Sequence, residues 1–112
     1  MTLLSITVTD HHSCSVITLG GELDRLSAAH LNHVLDQVIS AGRVHLIVDV
    51  ADLAFCDSTG VWTLMKGHCH ASAAGGWLRL AYVHGVLKRV LQISKSVGIF
   101  PAPLDLTVIM ER

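Results

Sequence analysis

Val44-His45-Leu46-Ile47-Val48-Asp49-Val50, then Phe55-Cys56-Asp57-Ser58-Thr59-Gly60-Val61, is the part of the chain whose reading decides the fold. The first block is β-branched and largely apolar, which predicts a strand buried on both faces. Ala51 to Asp57 reads as a short connection. Beyond it the apolar period changes to that of a helix, with Val61, Leu64, Met65 and Cys69 on one side and the small Ser72 continuing the line. Gly75-Gly76 closes this helix, and Trp77 to Val83 reads as the next strand. Two strands joined through a helix in this way make a parallel crossover unit.

The same reading extends outward in both directions. Residues 4–9 alternate apolar and polar, as a half-buried strand does. Asp10 to Ser13 is turn-like, and residues 14–19 resume a strand that ends at Gly20-Gly21, so the pair predicts a β-hairpin. Leu31, Val34, Leu35, Val38 and Ile39 then form the apolar face of an amphipathic helix. Its start is capped by Asp24 or Ser27, and Gly42 is placed to end it in a left-handed conformation. A third helix is expected over about 86–94, from Leu87, Val90 and Leu91, and a short edge strand over Val97 to Phe100, bounded by Pro101. Leu104 to Met110 is open between helix and strand. The expected architecture is α/β, in the order β-β-α-β-α-β-α. It has a mixed sheet of four to five strands with helices mainly on one face.

Composition narrows the function classes. The 112 residues suit one domain, taken here as residues 1–112, and 51% hydrophobic content is enough to bury a core without metal or disulfide staples. Nine acidic and eight basic residues leave no basic stripe that would make nucleic acid a direct partner. No apolar run approaches the length of a membrane span, and the N-terminus lacks the pattern of a secretory signal. Three cysteines (Cys14, Cys56, Cys69) without a CxxC pair fit a reduced, cytoplasmic chain.

Chemistry concentrates at Asp57-Ser58-Thr59-Gly60, where a buried strand gives way to a helix. A serine at or just inside a helix N-terminus has its hydroxyl near unpaired backbone N–H groups, and these favour an added phosphate. Asp57 acts the other way, because it repels a second negative charge. On local chemistry alone this segment is more often simply a helix cap, and a cap can also be a phosphosite.

Other candidates read more simply. His68-Cys69-His70 is compact, but residues two apart on a helix diverge, and no second pair completes a metal set; His30 and His33 share one helix face without further ligands. No cofactor or metal is expected. Ser58 is not in a Gly-x-Ser-x-Gly turn and Cys56 follows an apolar stretch as core, so no enzyme activity is expected. Trp62, about 100° around the helix from Val61, is open between packing at the domain edge and an exposed partner contact.

Three blocks together carry a family resemblance: Gly20-Gly21-Glu22-Leu23-Asp24, Leu46-Ile47-Val48-Asp49-Val50 and Phe55-Cys56-Asp57-Ser58-Thr59-Gly60. In their spacing and in the order of elements around them, the chain resembles STAS-domain anti-sigma factor antagonists, most clearly over residues 4–100. The resemblance implies a regulatory protein that binds an anti-sigma factor while unphosphorylated, so releasing a sigma factor. A partner that is both anti-sigma factor and serine kinase switches it off at Ser58, and a serine phosphatase resets it. By position, Asp57, Thr59 and Gly60 flank the phosphosite. Glu22 and Asp24, from the loop after the second strand, belong to the partner-binding surface, which Trp62 would join if it is the exposed contact. Where the family pattern continues after the glycine with Leu and a small residue, this chain has Val61-Trp62, a difference that bears on partner choice. STAS-like domains also serve as adaptors in membrane transport or sensory complexes, which would need no phosphoswitch.

Overall fold

The computed structural model describes residues 4–84. Strands β1 (Leu4–Asp10) and β2 (Ser15–Leu23) are followed by helix α1 (Arg25–Ser40), strand β3 (His45–Cys56), helix α2 (Ser58–Ala73) and strand β4 (Trp77–Ala81). The sheet order is β1-β2-β3-β4, antiparallel between β1 and β2 and parallel from β2 to β4. The expected hairpin, the mixed sheet and the crossover through α2 are therefore present. The expected elements over 86–94, 97–100 and 104–110 lie outside the described residues.

Both helices cover one face of the sheet. Ala28, Leu31, Leu35 and Ile39 of α1 join Val61, Leu64 and Ala71 of α2 in a single buried cluster with Ile17, Leu19, Leu46, Val48, Val50, Leu78 and Leu80. On the opposite face Val16, Ile47 and Ala81 are buried in a second cluster. Leu46 through Val50 are all buried, Asp49 included, as their largely apolar run predicts.

Three sequence expectations need correction. First, β2 does not end at Gly20-Gly21 and residues 51–57 are not a short connection. The two strands stay paired, Gly20 opposite Asp52, Glu22 opposite Phe55 and Leu23 opposite Cys56. Register shifts between Thr18 and Gly20 and between Gly21 and Glu22 break the two-residue alternation. Buried Leu53 and Cys56 are consequently three apart, which hides the strand from a periodicity reading. Glu22 thus belongs to β2 itself.

Second, the buried face of α2 is rotated from the predicted one. Cys69 and Ser72 are exposed, whereas Gly60, Val61, Thr63, Leu64, Gly67 and Ala71 are buried. Gly67 lets the helix come close: a Cβ there would lie 2.8 Å from Leu35 Cδ1 and 3.0 Å from Leu78 Cδ1. Third, β4 stops at Ala81, short of Val83, because Tyr82 takes a left-handed φ of 62° that a strand cannot continue.

At the edge of the sheet away from Ser58, one side chain ties two connections together. Arg43 Nε donates to Ser15 Oγ at 2.8 Å, and its Nη2 donates to the carbonyls of His11 at 2.7 Å and Cys14 at 2.9 Å. Asp10 is 3.6 Å from the same guanidinium. The hairpin turn is thereby fixed to the loop between α1 and β3. Arg43→Ala should cost about 2 kcal/mol in urea unfolding, since charged donors are lost from partly buried acceptors. Arg43→Lys should recover little of it, because an ammonium cannot serve this forked set.

Candidate functional site

The site lies where β2 and β3 end side by side and each passes through an aspartate into a helix. Leu23 pairs with Cys56, and Asp57 N–H donates to the Leu23 carbonyl at 3.1 Å, so the starts of α1 and α2 are held level. Each aspartate has extended backbone and caps its helix.

At α1, Asp24 Oδ1 accepts from the N–H of Leu26 at 3.0 Å and of Ser27 at 2.9 Å, while Ser27 Oγ accepts from Asp24 N–H at 2.9 Å. The two residues that the sequence offers as alternative caps act together, as a reciprocal capping box. Gly42, with φ of 88°, follows the helix end as expected. The hydrogen bonds from Ser27, backbone and side chain, hold the Asp24 carboxyl below its ordinary value. A carboxyl lowered in the folded state stabilises the fold above its unfolded pKa, and that contribution is lost as pH falls through the folded value. Asp24→Asn should therefore flatten the acid limb of a stability–pH curve while leaving its shape near neutrality unchanged. A denaturation series across the carboxyl titration range reads this directly.

At α2, Asp57 Oδ1 accepts from Gly60 N–H at 2.9 Å, and Val61 N–H donates to the Asp57 carbonyl at 3.1 Å. The cap position is occupied by Asp57, so Ser58 is the first residue of the helix proper and not its cap. Its side chain is exposed, and among the described residues no group hydrogen-bonds its hydroxyl. The N–H groups of Ser58 and Thr59 belong to the first turn, which has no intrahelical acceptor for them. A phosphoryl group on Ser58 Oγ would meet these donors and the positive end of the helix dipole, with the Asp57 carboxylate as its repelling neighbour.

Packing holds this turn in place. Gly60 is buried, and a Cβ on it would lie 2.7 Å from Leu23 Cγ and 2.9 Å from Cys56 Sγ. Thr63 Oγ1 donates to the Thr59 carbonyl at 3.0 Å, closing the next turn. Cys56 belongs to the core, and burial, then the negative charge of Asp57, push its thiol up to about 12. It therefore stays a thiol at neutral pH, the unreactive form.

The sequence-selected residues come together. Ser58, Asp57, Thr59 and Gly60 form the turn, and Glu22 and Asp24 flank it on the adjoining strand and helix. Trp62 is 67% exposed, which decides between its two readings in favour of exposure. It lies four residues beyond Ser58, on the same face of the helix. Sequence reasoning missed Leu26 and Phe55, which are 84% and 46% exposed at the same end of the sheet. Leu26 was detectable, since it falls off the Ala28, Leu31, Leu35, Ile39 stripe. Phe55 was hidden by the unrecognised end of β3.

The histidines are used singly. His70 Nδ1 lies 3.2 Å from Asp36 Oδ1, joining α2 to α1, and His68 Nδ1 lies 3.2 Å from the Leu78 carbonyl. Among the described residues no three His, Cys, Asp or Glu side chains are arranged to hold a metal ion, and no helix is long and apolar enough to cross a membrane.

Comparison with known proteins places this geometry in a family. Residues 6–98 match the family model described as "Mlab, STAS domain". The anti-sigma-F factor antagonist RsfB of Mycobacterium tuberculosis is 31% identical over 58 residues, 52% of this chain and 48% of that protein. This chain thus aligns with about half the length of that relative. An anti-sigma F factor antagonist of Paenibacillus polymyxa is 24% identical over 99 residues, covering 88% of this chain and 85% of that one.

Solved structures share the fold at lower identity. An anti-sigma factor antagonist from Mycobacterium paratuberculosis superposes with a TM-score of 0.78, at 21% identity over 96% of this chain and 92% of its own. The phosphorylated form of the Bacillus cell fate determinant SpoIIAA gives 0.72, at 22% identity over 96% and 100%. With most of its length matched by the family model and its fold shared by these neighbours, the chain belongs to the STAS domain family.

Proposed function

We propose that this protein is an anti-sigma factor antagonist switched by phosphorylation of Ser58. Unphosphorylated, it binds an anti-sigma factor of the serine kinase type, and the sigma factor held by that partner is released. The kinase then transfers the γ-phosphoryl group of ATP to Ser58 Oγ, the hydroxyl proton leaves, and the phosphorylated form no longer binds. A serine phosphatase restores the hydroxyl by hydrolysis. Asp57, Thr59 and Gly60 shape the acceptor turn, and Glu22, Asp24 and Trp62 face the partner. The protein acts in the cytoplasm as one domain over residues 1–112, is not itself an enzyme, and needs neither nucleic acid nor membrane insertion.

One observation carries this reading: Ser58 is exposed at the first position of α2 with the capping role taken by Asp57, so its hydroxyl is available to a kinase. Relatives named as anti-sigma F factor antagonists support the choice of partner. Peptide mass spectrometry of the protein from its native cells, with a Ser58→Ala control, tests it. A phosphate is expected on the peptide containing Ser58 and is absent from the control. An unmodified peptide under all growth and stress conditions would sink the switch.

A second reading is favoured by the family match, whose model is described by an Mlab STAS domain and not by an antagonist. Under it the chain is an adaptor subunit of a membrane transport or sensory complex, and Ser58 is merely a helix residue. Co-purification with a transport ATPase, together with a Ser58 that never carries phosphate, would favour this alternative.

A further inference from the structure

Four large apolar side chains are exposed among the described residues: Val8 at 42%, Leu26 at 84%, Phe55 at 46% and Trp62 at 67%. Three of the four, all but Val8, come from three different elements at the end of the sheet that presents Ser58. Leu26 is in the first turn of α1, Phe55 is at the end of β3, and Trp62 is one turn along α2 from Ser58. Single exposed apolar residues are ordinary, but three gathered at one end of a small domain mark a contact surface. None of the three is needed to fill the buried cluster.

The charges beside them restrict what can cover this surface. Glu22, Asp24 and Asp57 lie at the same end, with Arg25 as the neighbouring cation in the first turn of α1. Three carboxylates against the Arg25 guanidinium, with Lys66 one turn beyond Trp62 on α2, leave the rim net acidic. A second copy of this chain, docked symmetrically, would set like charges against each other. A partner with lysine or arginine around an apolar cleft would instead satisfy both parts.

We propose that Leu26, Phe55 and Trp62 form one docking surface for a protein partner whose apolar cleft, edged by Lys and Arg, receives the Trp62 indole. The proposal rests on the antagonist reading of this site and adds the partner's chemistry to it. Indole is among the side chains that most often anchor interfaces, and the polar rim excludes water around it. Ser58 lies inside that rim, one helical turn from Trp62. A phosphoryl group there has to lose its water within an apolar contact while Asp57 repels it, so the contact is given up.

Photo-crosslinking in the native cells tests this, with a benzophenone amino acid at position 26, 55 or 62 and at Val8 as control. The chain carries Ser58→Ala throughout, so that modification cannot mask the surface. Positions 26, 55 and 62 are expected to capture the same protein, about tenfold above the Val8 position, as an anchored patch should. The crosslinked partner peptides should carry Lys or Arg beside apolar residues, and Glu22→Lys should reduce the yield from position 62. Yields equal to that of Val8, a dimer of this chain as the product, or an acidic partner peptide would each overturn the proposal. Crosslinks to a basic partner that is not an anti-sigma factor would leave the surface standing and remove the antagonist reading. Phosphate on Ser58 of the wild-type chain without crosslinks would do the reverse.

Discussion

Gly76→Ala should unfold at far lower urea than the wild-type domain, with a loss of about 3–4 kcal/mol. A Cβ on Gly76 would lie 2.0 Å from the Val44 carbonyl oxygen and 2.5 Å from its carbon. Both are backbone atoms, so no side chain can swing aside. Relief requires the entry to β4 to move away from the entry to β3. That movement breaks the bond from Trp77 N–H to the Val44 carbonyl, now 2.9 Å, at the start of the parallel pairing of β3 and β4. Gly76 N–H also donates to the Ala71 carbonyl at 2.8 Å, which ties the same residue to the end of α2.

The adjacent glycine is an internal control. Gly75 has φ of 92° and open space where a Cβ would be, so Gly75→Ala meets only the backbone penalty of the left-handed region, about 1–2 kcal/mol. Circular dichroism during urea titration should rank the variants wild type, Gly75→Ala, Gly76→Ala in falling stability. Equal midpoints for the two variants would mean that the close approach at Val44 relaxes without cost.

That pair also shows what the sequence could and could not tell. Gly75-Gly76 reads as the end of a helix, and it is, but only the contact with Val44 separates a glycine needed for its φ from one needed for space. The strand at Leu46–Val50 and the helix face from Leu31 to Ile39 were legible because their apolar spacing follows one rule along one element. The far ends of β2 and β3 were not, because two register shifts convert alternation into a spacing of three at Leu53 and Cys56. The buried face of α2 was misread for a different reason. Glycine and alanine there pack by closeness and not by apolar bulk, so Gly67 and Ala71 gave no hydrophobic signal, whereas the apolar-looking Cys69 is exposed. The turn at Ser58 was itself visible in the sequence as an aspartate and a serine at a helix start. Which of them caps the helix depends on one hydrogen bond, from Gly60 N–H to Asp57 Oδ1.

That hydrogen bond makes Ser58 replaceable without damage, and the second large effect is therefore on binding and not on folding. Ser58→Ala removes a hydroxyl that holds nothing among the described residues, so the variant should bind the anti-sigma factor as tightly as the unmodified protein and resist inactivation. Ser58→Asp should bind at least about tenfold more weakly, since it places a desolvated charge beside Asp57 within the contact. Calorimetric titration against the purified partner gives both affinities. Folding is the control: a carboxylate at the first position of a helix is favoured by the dipole, by about 0.3–1 kcal/mol. With the dipole offsetting repulsion from Asp57, Ser58→Asp should fold about as stably as Ser58→Ala while binding worse, a combination that partial unfolding cannot produce. Equal affinities would leave Ser58 as an ordinary first-turn residue and end the case for a charge switch at this position.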